Sequence, residues 1–342
     1  MPVLSICIPT LNRGAFIGET LCSITSQATD EVEIVVVDGG SKDNTETVVR
    51  QYQQRFSHLR YFRSKVENET QHVSPSNMGF DRDCTRAVEL AQGEYCWLFT
   101  DDDILKPGAI KVVLDAVRQG FSLVVVNAEV RDATLAKRLS DHKLAFFSDR
   151  VYEDNNDDKQ KFLAEVGEYL SFLGSVVIRR EIWLTRDRSK YFGSGFVHVG
   201  VILQKKLPGR ILALATPRII IRLGTAEWTS RSFEIWLFQW PELIWSFSDY
   251  SDASKRAVCR QYPWQRVGTL IIYRALGVYS SDKYSRLLKE RLHLGWKQVL
   301  GGMIARMPVC VARAIARVYY LVRQNKMMLY FLQASLPMII KK

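Results

Sequence analysis

Three consecutive carboxylates, Asp101, Asp102 and Asp103, follow the apolar run Glu94-Tyr-Cys-Trp-Leu-Phe-Thr100 and precede Ile-Leu-Lys-Pro107. A strand that ends in acids sits where open α/β sheets bind ligands, beyond the carboxyl ends of the strands. Clustered carboxylates suit hard divalent cations such as Mg²⁺ or Mn²⁺. Taken alone, the same run also reads as a solvated turn. Other residues with chemical capacity are Arg13 after Pro9-Thr10-Leu-Asn, Asp38 before Gly39-Gly40-Ser41, and Arg82, Asp83 and Arg86 in a helical stretch. His198 lies in an apolar setting beside glycines 193, 195 and 200. With an ordinary pKa of about 6.5, an imidazole there serves either as a proton acceptor or as a core residue.

These residues need a scaffold, and the pattern of the chain supplies one. Val3–Ile8 and Val32–Val37 are continuous apolar runs of strand length, the look of strands covered on both faces. Between them, Phe16, Ile17, Leu21 and Ile24 recur at helical spacing within residues 15–27. The glycine pair after Asp38 permits a sharp turn, and Asp43 with Glu46 resembles a capping box for a helix over 45–55. Leu59–Phe62 is a short third strand. Residues 64–76 are a polar loop, and 78–90 a helix that ends near Gly93 as its C-cap. Residues 94–100 form the strand that delivers the aspartates, and Phe121–Glu129 adds another. Strands alternating with helices predict an α/β fold with a mostly parallel sheet and right-handed crossovers. Residues 131–158 read as an acid-rich excursion, with strand character returning at Phe172–Ile178 and Ile219–Leu223.

In that order and at that spacing, strand-Pro-Thr-Leu-Asn-Arg, strand-Asp-Gly-Gly-Ser-x-Asp-Asn-Thr, Ala91-Gln-Gly-Glu-Tyr95 and Thr-Asp-Asp-Asp-Ile-Leu-x-Pro resemble the family 2 glycosyltransferases of GT-A fold. The resemblance covers residues 1 to about 130. It implies transfer of a sugar from a nucleotide diphosphate donor with Mn²⁺ or Mg²⁺ bridging the diphosphate. It further implies that Pro9, Thr10 and Arg13 lie along the nucleotide, that Asp38 meets the base, and that Arg82 sits near the diphosphate or base. Asp101 or Asp102 would touch the ribose, and Asp102 or Asp103 would hold the metal. In the second half, Phe172-Leu-Gly-Ser-Val-Val-Ile-Arg-Arg-Glu, Phe196-x-His198 and Thr225-Ala-Glu-Trp-Thr look similar to bacterial O-antigen and surface-polysaccharide transferases, the abequosyltransferase group included. Many inverting members carry a Glu-Asp pair as general base. Here the corresponding region offers His198, Asp187 upstream and Glu227 downstream.

Composition narrows the remaining roles. The 342 residues carry a net charge of +11, yet residues 251–342 hold 17 Lys and Arg against three acids, so all the excess lies in the last quarter. Arg306, Arg313 and Arg317 recur at helical spacing among Val309, Ala312, Ile315, Ala316 and Tyr319, which predicts an amphipathic helix lying on an anionic membrane. No nucleic-acid-binding module accompanies the charge, which argues against nucleic acid as partner. The six cysteines include no C-x-x-C pair, which disfavours zinc and redox chemistry and fits a reducing, cytoplasmic compartment. No secretory signal is visible, and the apolar stretch 327–340 is short for a membrane span and interrupted by Gln333 and Pro337.

The expected organisation is a nucleotide-sugar half at 1–130, an acceptor half at 131–250 and a basic helical extension at 251–342. The expected partners are a nucleotide-diphosphate sugar, a lipid-linked, undecaprenyl-type oligosaccharide and the inner face of the cell membrane. Two other classes fit parts of this pattern. A sugar nucleotidyltransferase would show a glycine-rich phosphate loop, which Pro9-Thr-Leu-Asn-Arg13 lacks. A non-catalytic, membrane-bound assembly factor would bind nucleotide without turnover.

Overall fold

A computed structural model of the chain describes residues 1–64, 78–292 and 295–334. Most of the loop expected at 64–76 and the end of the apolar stretch 327–340 lie outside the described residues. The chain forms two compact units, one of residues 1–131, 141–222 and 247–258, the other of 132–140, 223–246 and 259–342. The expected acceptor half at 131–250 is therefore divided, because most of it completes the sheet of the first unit.

That sheet is built from β1 (Leu4–Thr10), β2 (Val32–Asp38), β3 (Leu59–Arg63), β4 (Tyr95–Leu98), β5 (Ile104–Leu105), β6 (Leu123–Arg131), β7 (Arg150–Tyr152), β8 (Val176–Arg179) and β9 (Ile211–Arg222). Their order is β3-β2-β1-β4-β8-β6-β9-β5, with β7 beside β9. β3, β2, β1 and β4 run parallel, while β8 pairs antiparallel with both β4 and β6. Every residue of β1 and β2 is buried, as expected for parallel strands covered on both faces. Pro9 can lie inside central β1 because the pairing with β4 ends at Cys7 and Leu98, so its missing N–H breaks no bond on that side.

Helices α1 (Ile17–Thr25), α2 (Thr45–Arg55), α3 (Met78–Leu90) and α4 (Ala109–Val117) make the crossovers. α1 buries Ile17, Thr20, Leu21 and Ile24, one stripe at helical spacing. Gly93 is required for a different reason from the C-cap its position suggests. A Cβ there would come within 2.6 Å of the Ser5 hydroxyl and 2.8 Å of the Ser5 amide, so glycine lets α3 return tightly onto β1.

Residues 154–158 are not an excursion. Asn155 caps α5 (Asn156–Val166), its side chain accepting from the Asp158 amide at 2.8 Å, and Phe162, Leu163 and Val166 are buried. Two short 3₁₀ turns at 169–171 and 173–175 replace most of the strand expected at 172–178. α6 (Arg180–Leu184), α7 (Val197–Leu203) and α8 (Asp252–Val258) complete the first unit. β9 is twelve residues long, with its register to β6 shifting between Leu214 and Ile219 around Pro217. A proline that cannot donate belongs at such an irregularity.

The second unit is helical. A continuous turn runs from Ser232 to Trp245 with a π-type segment at Ile235–Gln239, and α9 (Val267–Ala275), α10 (Trp296–Arg306), α11 (Val309–Val322) and α12 (Lys326–Ala334) follow. Phe233, Leu237, Leu270, Tyr279, Leu288 and Ile304 form one core; Ala275, Ala312, Ala316, Tyr320 and Leu332 form a smaller one. Among the described residues no single helix is long and apolar enough to cross a membrane; α10 and α11 would pass only together, across a 108° bend.

Candidate active site

The carboxyl ends of β1, β2 and β4 meet at one edge of the sheet. Thr10 stands opposite Asp38 in register, and the β1–α1 loop is stitched to the β2–α2 loop beside it. The Asn12 amide donates to the Ser41 hydroxyl at 2.8 Å, and the Lys42 amide donates to Asn12 Oδ1 at 2.7 Å. The Arg13 amide donates to Thr45 Oγ1 at 2.8 Å, and the Gly14 amide to Asp43 at 2.9 Å. Asn12 adopts φ 54°, a left-handed conformation that asparagine tolerates better than most residues. The expected capping box does not form, since Asn44 is the N-cap and Glu46 pairs with Arg50 and Arg63; Asp43 instead accepts from the Thr45 amide at 3.0 Å and anchors the loop, and these bonds outweigh burial and hold its carboxyl below the usual carboxylate range.

The stitched loop aims Arg13 at the aspartates. Its Nε donates to Asp101 Oδ1 at 3.0 Å and a terminal nitrogen pairs with Asp102 Oδ2. The two carboxylate side chains are 15% and 13% exposed, so both remain in contact with solvent at the strand end. Burial pushes Asp101 up to about 7, with Arg13 pulling its pKa down and Asp102 pushing it further up.

Asp103 is placed differently. It is buried, its Oδ1 accepts from the Arg222 amide at 2.8 Å, and its Oδ2 accepts from the Thr100 hydroxyl. Burial first, then the neighbouring Asp102 charge, holds its carboxyl well above the usual range. Arg222 locks the whole run. Its Nε donates to the Asp102 carbonyl at 2.9 Å, a terminal nitrogen reaches Glu19 at 2.8 Å, and its guanidinium and that of Arg13 both lie over the Phe16 ring. A cation over an aromatic face adds about 0.5–2 kcal/mol depending on desolvation. Neither Arg222 nor Glu19 stands out in the sequence, because an arginine closing a strand and a glutamate in a first helical turn carry no motif.

Asp38 is fully buried. Oδ1 accepts from the Gly40 and Ser41 amides at 2.9 and 2.7 Å, and Oδ2 accepts from Tyr61 Oη at 2.7 Å. Its carboxylate shapes the glycine turn. Gly40 supplies the positive φ of 100°, whereas Gly39 supplies space, since a Cβ there would lie 2.7 Å from Asp83 Oδ2. Arg82 is exposed and lies over the Phe192 ring at 5.7 Å.

One residue earlier on α3, Asp81 is buried and accepts the amides of Gly193, Gly195 and Val197 at 2.8, 2.9 and 3.2 Å. Its carboxyl is pushed up to about 6 by burial, against the pull of those amides. Asp81 thereby fixes the glycine-rich turn that opens α7. Only the glycine spacing hinted at this role.

The three expected proton acceptors differ in their settings. His198 is 1% exposed within α7, its Nε2 donates to the Leu170 carbonyl at 2.9 Å, and burial lowers its pKa to about 4. An imidazole sealed in this way is a core residue and reaches no acceptor hydroxyl. Asp187 lies on an exposed turn, accepting from the Ser189 hydroxyl at 2.8 Å, a bond that lowers its pKa. Glu227 opens a 3₁₀ turn, Glu227–Arg231, in the second unit.

Comparison with known proteins agrees with this geometry. Residues 5–173 match the model of glycosyl transferase family 2. Abequosyltransferase RfbV of Salmonella typhimurium is 27% identical over 232 residues, 65% of this chain and 67% of that protein. The GalNAc(5)-diNAcBac-PP-undecaprenol beta-1,3-glucosyltransferase of Campylobacter jejuni is 28% identical over 197 residues; the match spans 57% of each chain, little more than half of that relative's length. The solved mannosyltransferase PcManGT from Pyrobaculum calidifontis, in complex with GDP-Man and Mn²⁺, shares the fold at a TM-score of 0.52 and 15% identity, over 98% of this chain and 86% of that one. Residues 5–173, just under half of the chain, are therefore similar to glycosyl transferase family 2, on a fold shared with solved sugar transferases.

Proposed function

We propose that the chain transfers a sugar from a nucleoside diphosphate to a hydroxyl of a lipid-linked, undecaprenyl-type glycan of the kind built into bacterial surface polysaccharide. The observation that carries this reading is Arg13 bridging Asp101 and Asp102 where β1, β2 and β4 end together. The named activities of the Salmonella and Campylobacter relatives support the acceptor class, and GDP-Man in the mannosyltransferase supports the donor class.

A divalent cation fits the donor set. Asp101 and Asp102 offer hard oxygen ligands in partial contact with solvent, and among the described residues no set of three His, Cys, Asp or Glu side chains converges to form a closed metal cage. Mg²⁺ and Mn²⁺ are commonly held by one or two carboxylates plus substrate phosphates. In this reading Asp102 holds the ion and Asp101 meets the ribose, while Asp103, saturated by Arg222 and Thr100, holds the run in place. When bound, the ion supplies Lewis-acid charge to the departing diphosphate. Arg13 adds a fixed positive charge where that negative charge develops. Asp38, with both oxygens already engaged, presents a preformed turn to the base. Proton removal from the acceptor falls to Asp187 or Glu227, since His198 is sealed; Asp187→Asn and Glu227→Gln measured at saturating donor would distinguish them.

The second unit supports peripheral attachment to the inner face of the cell membrane. Nine of the sixteen exposed large apolar side chains described lie between residues 296 and 322. Trp296, Val299 and Met303 share one face of α10, and Val311, Ile315, Val318 and Val322 share one face of α11. Residues 291–342 hold nine basic residues and no acid, and each cation near an anionic leaflet contributes about 1 kcal/mol.

The test is a panel of nucleotide sugars assayed for slow hydrolysis with and without Mn²⁺, in wild type and Asp102→Asn. At least one donor should turn over in a metal-dependent way, and the variant should lose it. Inert donors, together with a melting temperature that neither nucleotide nor Mn²⁺ moves, would refute the assignment. For the membrane, Trp296→Ser combined with Val318→Ser should lose co-flotation with vesicles containing phosphatidylglycerol; undiminished flotation would exclude this surface.

A further inference from the structure

An open cleft of about 540 Å³ lies within the second unit, lined by Leu237, Phe238, Glu242, Gln261, Tyr262, Trp264, Gln265 and Arg291. Its volume falls in the range of roughly 300–1,000 Å³ typical of small-molecule sites. Its floor is rigid. Phe238 and Trp264 are buried members of the helical core, packed with Leu270, Tyr284 and Leu288. The segment that carries the aromatic wall is a tight 3₁₀ turn at Pro263–Gln265, closed by the Gln265 amide on the Tyr262 carbonyl at 3.2 Å and the Arg266 amide on the Pro263 carbonyl at 3.1 Å. Arg291 is parked over the Phe238 ring at 4.7 Å.

The lining divides into two kinds of surface. Tyr262 is 49% exposed, its ring 5.7 Å from Trp264 and tilted by 58°, so a large aromatic surface faces the cleft without being covered. Around it stand two amides, one carboxylate and one guanidinium, all on exposed residues. A glutamine side chain both donates and accepts, Glu242 only accepts, and Arg291 only donates. A pyranose presents the matching pair of surfaces. Its C–H face is apolar and slightly positive and packs on the negative face of an aromatic ring. Its hydroxyl edge both donates and accepts, which suits amides flanked by a carboxylate and a guanidinium. A wholly apolar ligand would leave the amides unpaired, and a polyanion would meet Glu242.

We propose that this cleft binds an oligosaccharide, with one pyranose stacked on Tyr262 and its hydroxyls on Gln261, Gln265, Glu242 and Arg291. It rests on the transferase reading, as a subsite that holds the acceptor glycan at a sugar other than the one that reacts.

The test uses the full chain and two variants of exposed residues, Tyr262→Ala and Gln265→Ala. A panel of free di-, tri- and tetrasaccharides of hexoses and N-acetylhexosamines is titrated by calorimetry, with nucleoside diphosphate as a separate ligand. At least one oligosaccharide should bind wild type, and Tyr262→Ala should weaken it by roughly tenfold or more, the scale of losing an aromatic contact. Nucleoside diphosphate binding and slow donor hydrolysis should be unchanged in both variants. With a glycan acceptor, the KM for acceptor should rise and kcat hold. The proposal is overturned if no oligosaccharide in the panel binds wild type, or if those that bind do so equally well to Tyr262→Ala. Failure of the transferase reading looks different, since every donor would then be inert while the titration still reports on the cleft.

Discussion

The roles of Asp102 and Asp103 separate cleanly under three substitutions. Asp103 is buried and spends both oxygens on the Arg222 amide and the Thr100 hydroxyl. Asp103→Asn keeps an acceptor for Arg222, and its amide can donate to Thr100 Oγ1. Because the environment already holds the Asp103 carboxyl well above its usual range, the neutral amide should cost no more than about 1 kcal/mol. Asp103→Ala strands the Arg222 amide and the Thr100 hydroxyl, each at about 1–3 kcal/mol, for a total near 2–6 kcal/mol. Asp102→Asn leaves that buried pair intact and removes the charge facing Arg13. Urea unfolding should therefore order the midpoints as wild type, close to Asp103→Asn, far above Asp103→Ala. A second readout adds Mn²⁺ and nucleoside diphosphate at about 100 times their Kd, which should stabilise wild type and Asp103→Asn by about 2.7 kcal/mol and Asp102→Asn by much less. The reasoning fails if Asp103→Asn is as unstable as Asp103→Ala, or if Asp103→Asn loses the ligand-induced gain while Asp102→Asn keeps it.

Three further outcomes follow from the same structure. Asp81 has a folded pKa near 6 against an ordinary value of 3.8, so the folded state holds its proton more tightly; its contribution is full below pH 4 and is lost as pH rises toward 6. That loss is worth roughly 3 kcal/mol, and Asp81→Asn should flatten the stability profile across pH 4–6 in denaturant titrations; an unchanged slope would contradict the assignment. A Cβ on Gly200 would lie 2.2 Å from Tyr191 Cγ, so Gly200→Ala should lower the midpoint of unfolding by about 1–3 kcal/mol, and a neutral effect would mean that the Tyr191 ring moves freely. His198→Gln should keep the transfer rate within a few-fold at every pH from 6 to 8, because a sealed imidazole takes no part in proton transfer; a rate loss larger than a hundredfold with an intact fold would restore it as the base.

The first half of the fold was legible because its signals are local. The continuous apolar runs of β1 and β2, the stripe of Ile17, Leu21 and Ile24 and the glycine turn after Asp38 each specify their own conformation. What stayed hidden depends on partners distant in sequence. β9 reads as a strand only after Pro217, because the proline masks Ile211–Leu214, whose pairing with β6 and β7 is set by tertiary contacts. Asp154–Asp158 looks like a charged loop until the Asn155 cap is seen holding the start of α5. The aspartate run announced itself, but the division of labour within it did not. That division is made by Arg222, 119 residues after Asp103, and no spacing rule connects the two. His198 looked reactive by residue type, and its lack of access is a property of packing alone.

The register shift in β9 has a consequence for how the chain tolerates insertions and deletions. Ahead of it, Ile211–Leu214 pair with Leu123–Val126; beyond it, Ile219–Arg222 pair with Ala128–Arg131, and Ile219 and Ile220 pair with β5. The stretch from Ala215 to Arg218 makes no strand pairing with β6 and bulges out of register, its ends held at Ala215 by the Asn127 and Asp149 side chains and at the Arg218 carbonyl by the Lys106 amide. A residue gained or lost there changes the size of the bulge and leaves both halves in phase with their neighbours. A residue gained or lost between Ile219 and Arg222 has no such reservoir. It would rotate every later side chain to the opposite face, turning the guanidinium of Arg222 away from Glu19 and Phe16 and taking its amide from Asp103. The bulge is therefore where β9 absorbs a change of length with least disturbance to the aspartates, and the four residues after it are where it absorbs none.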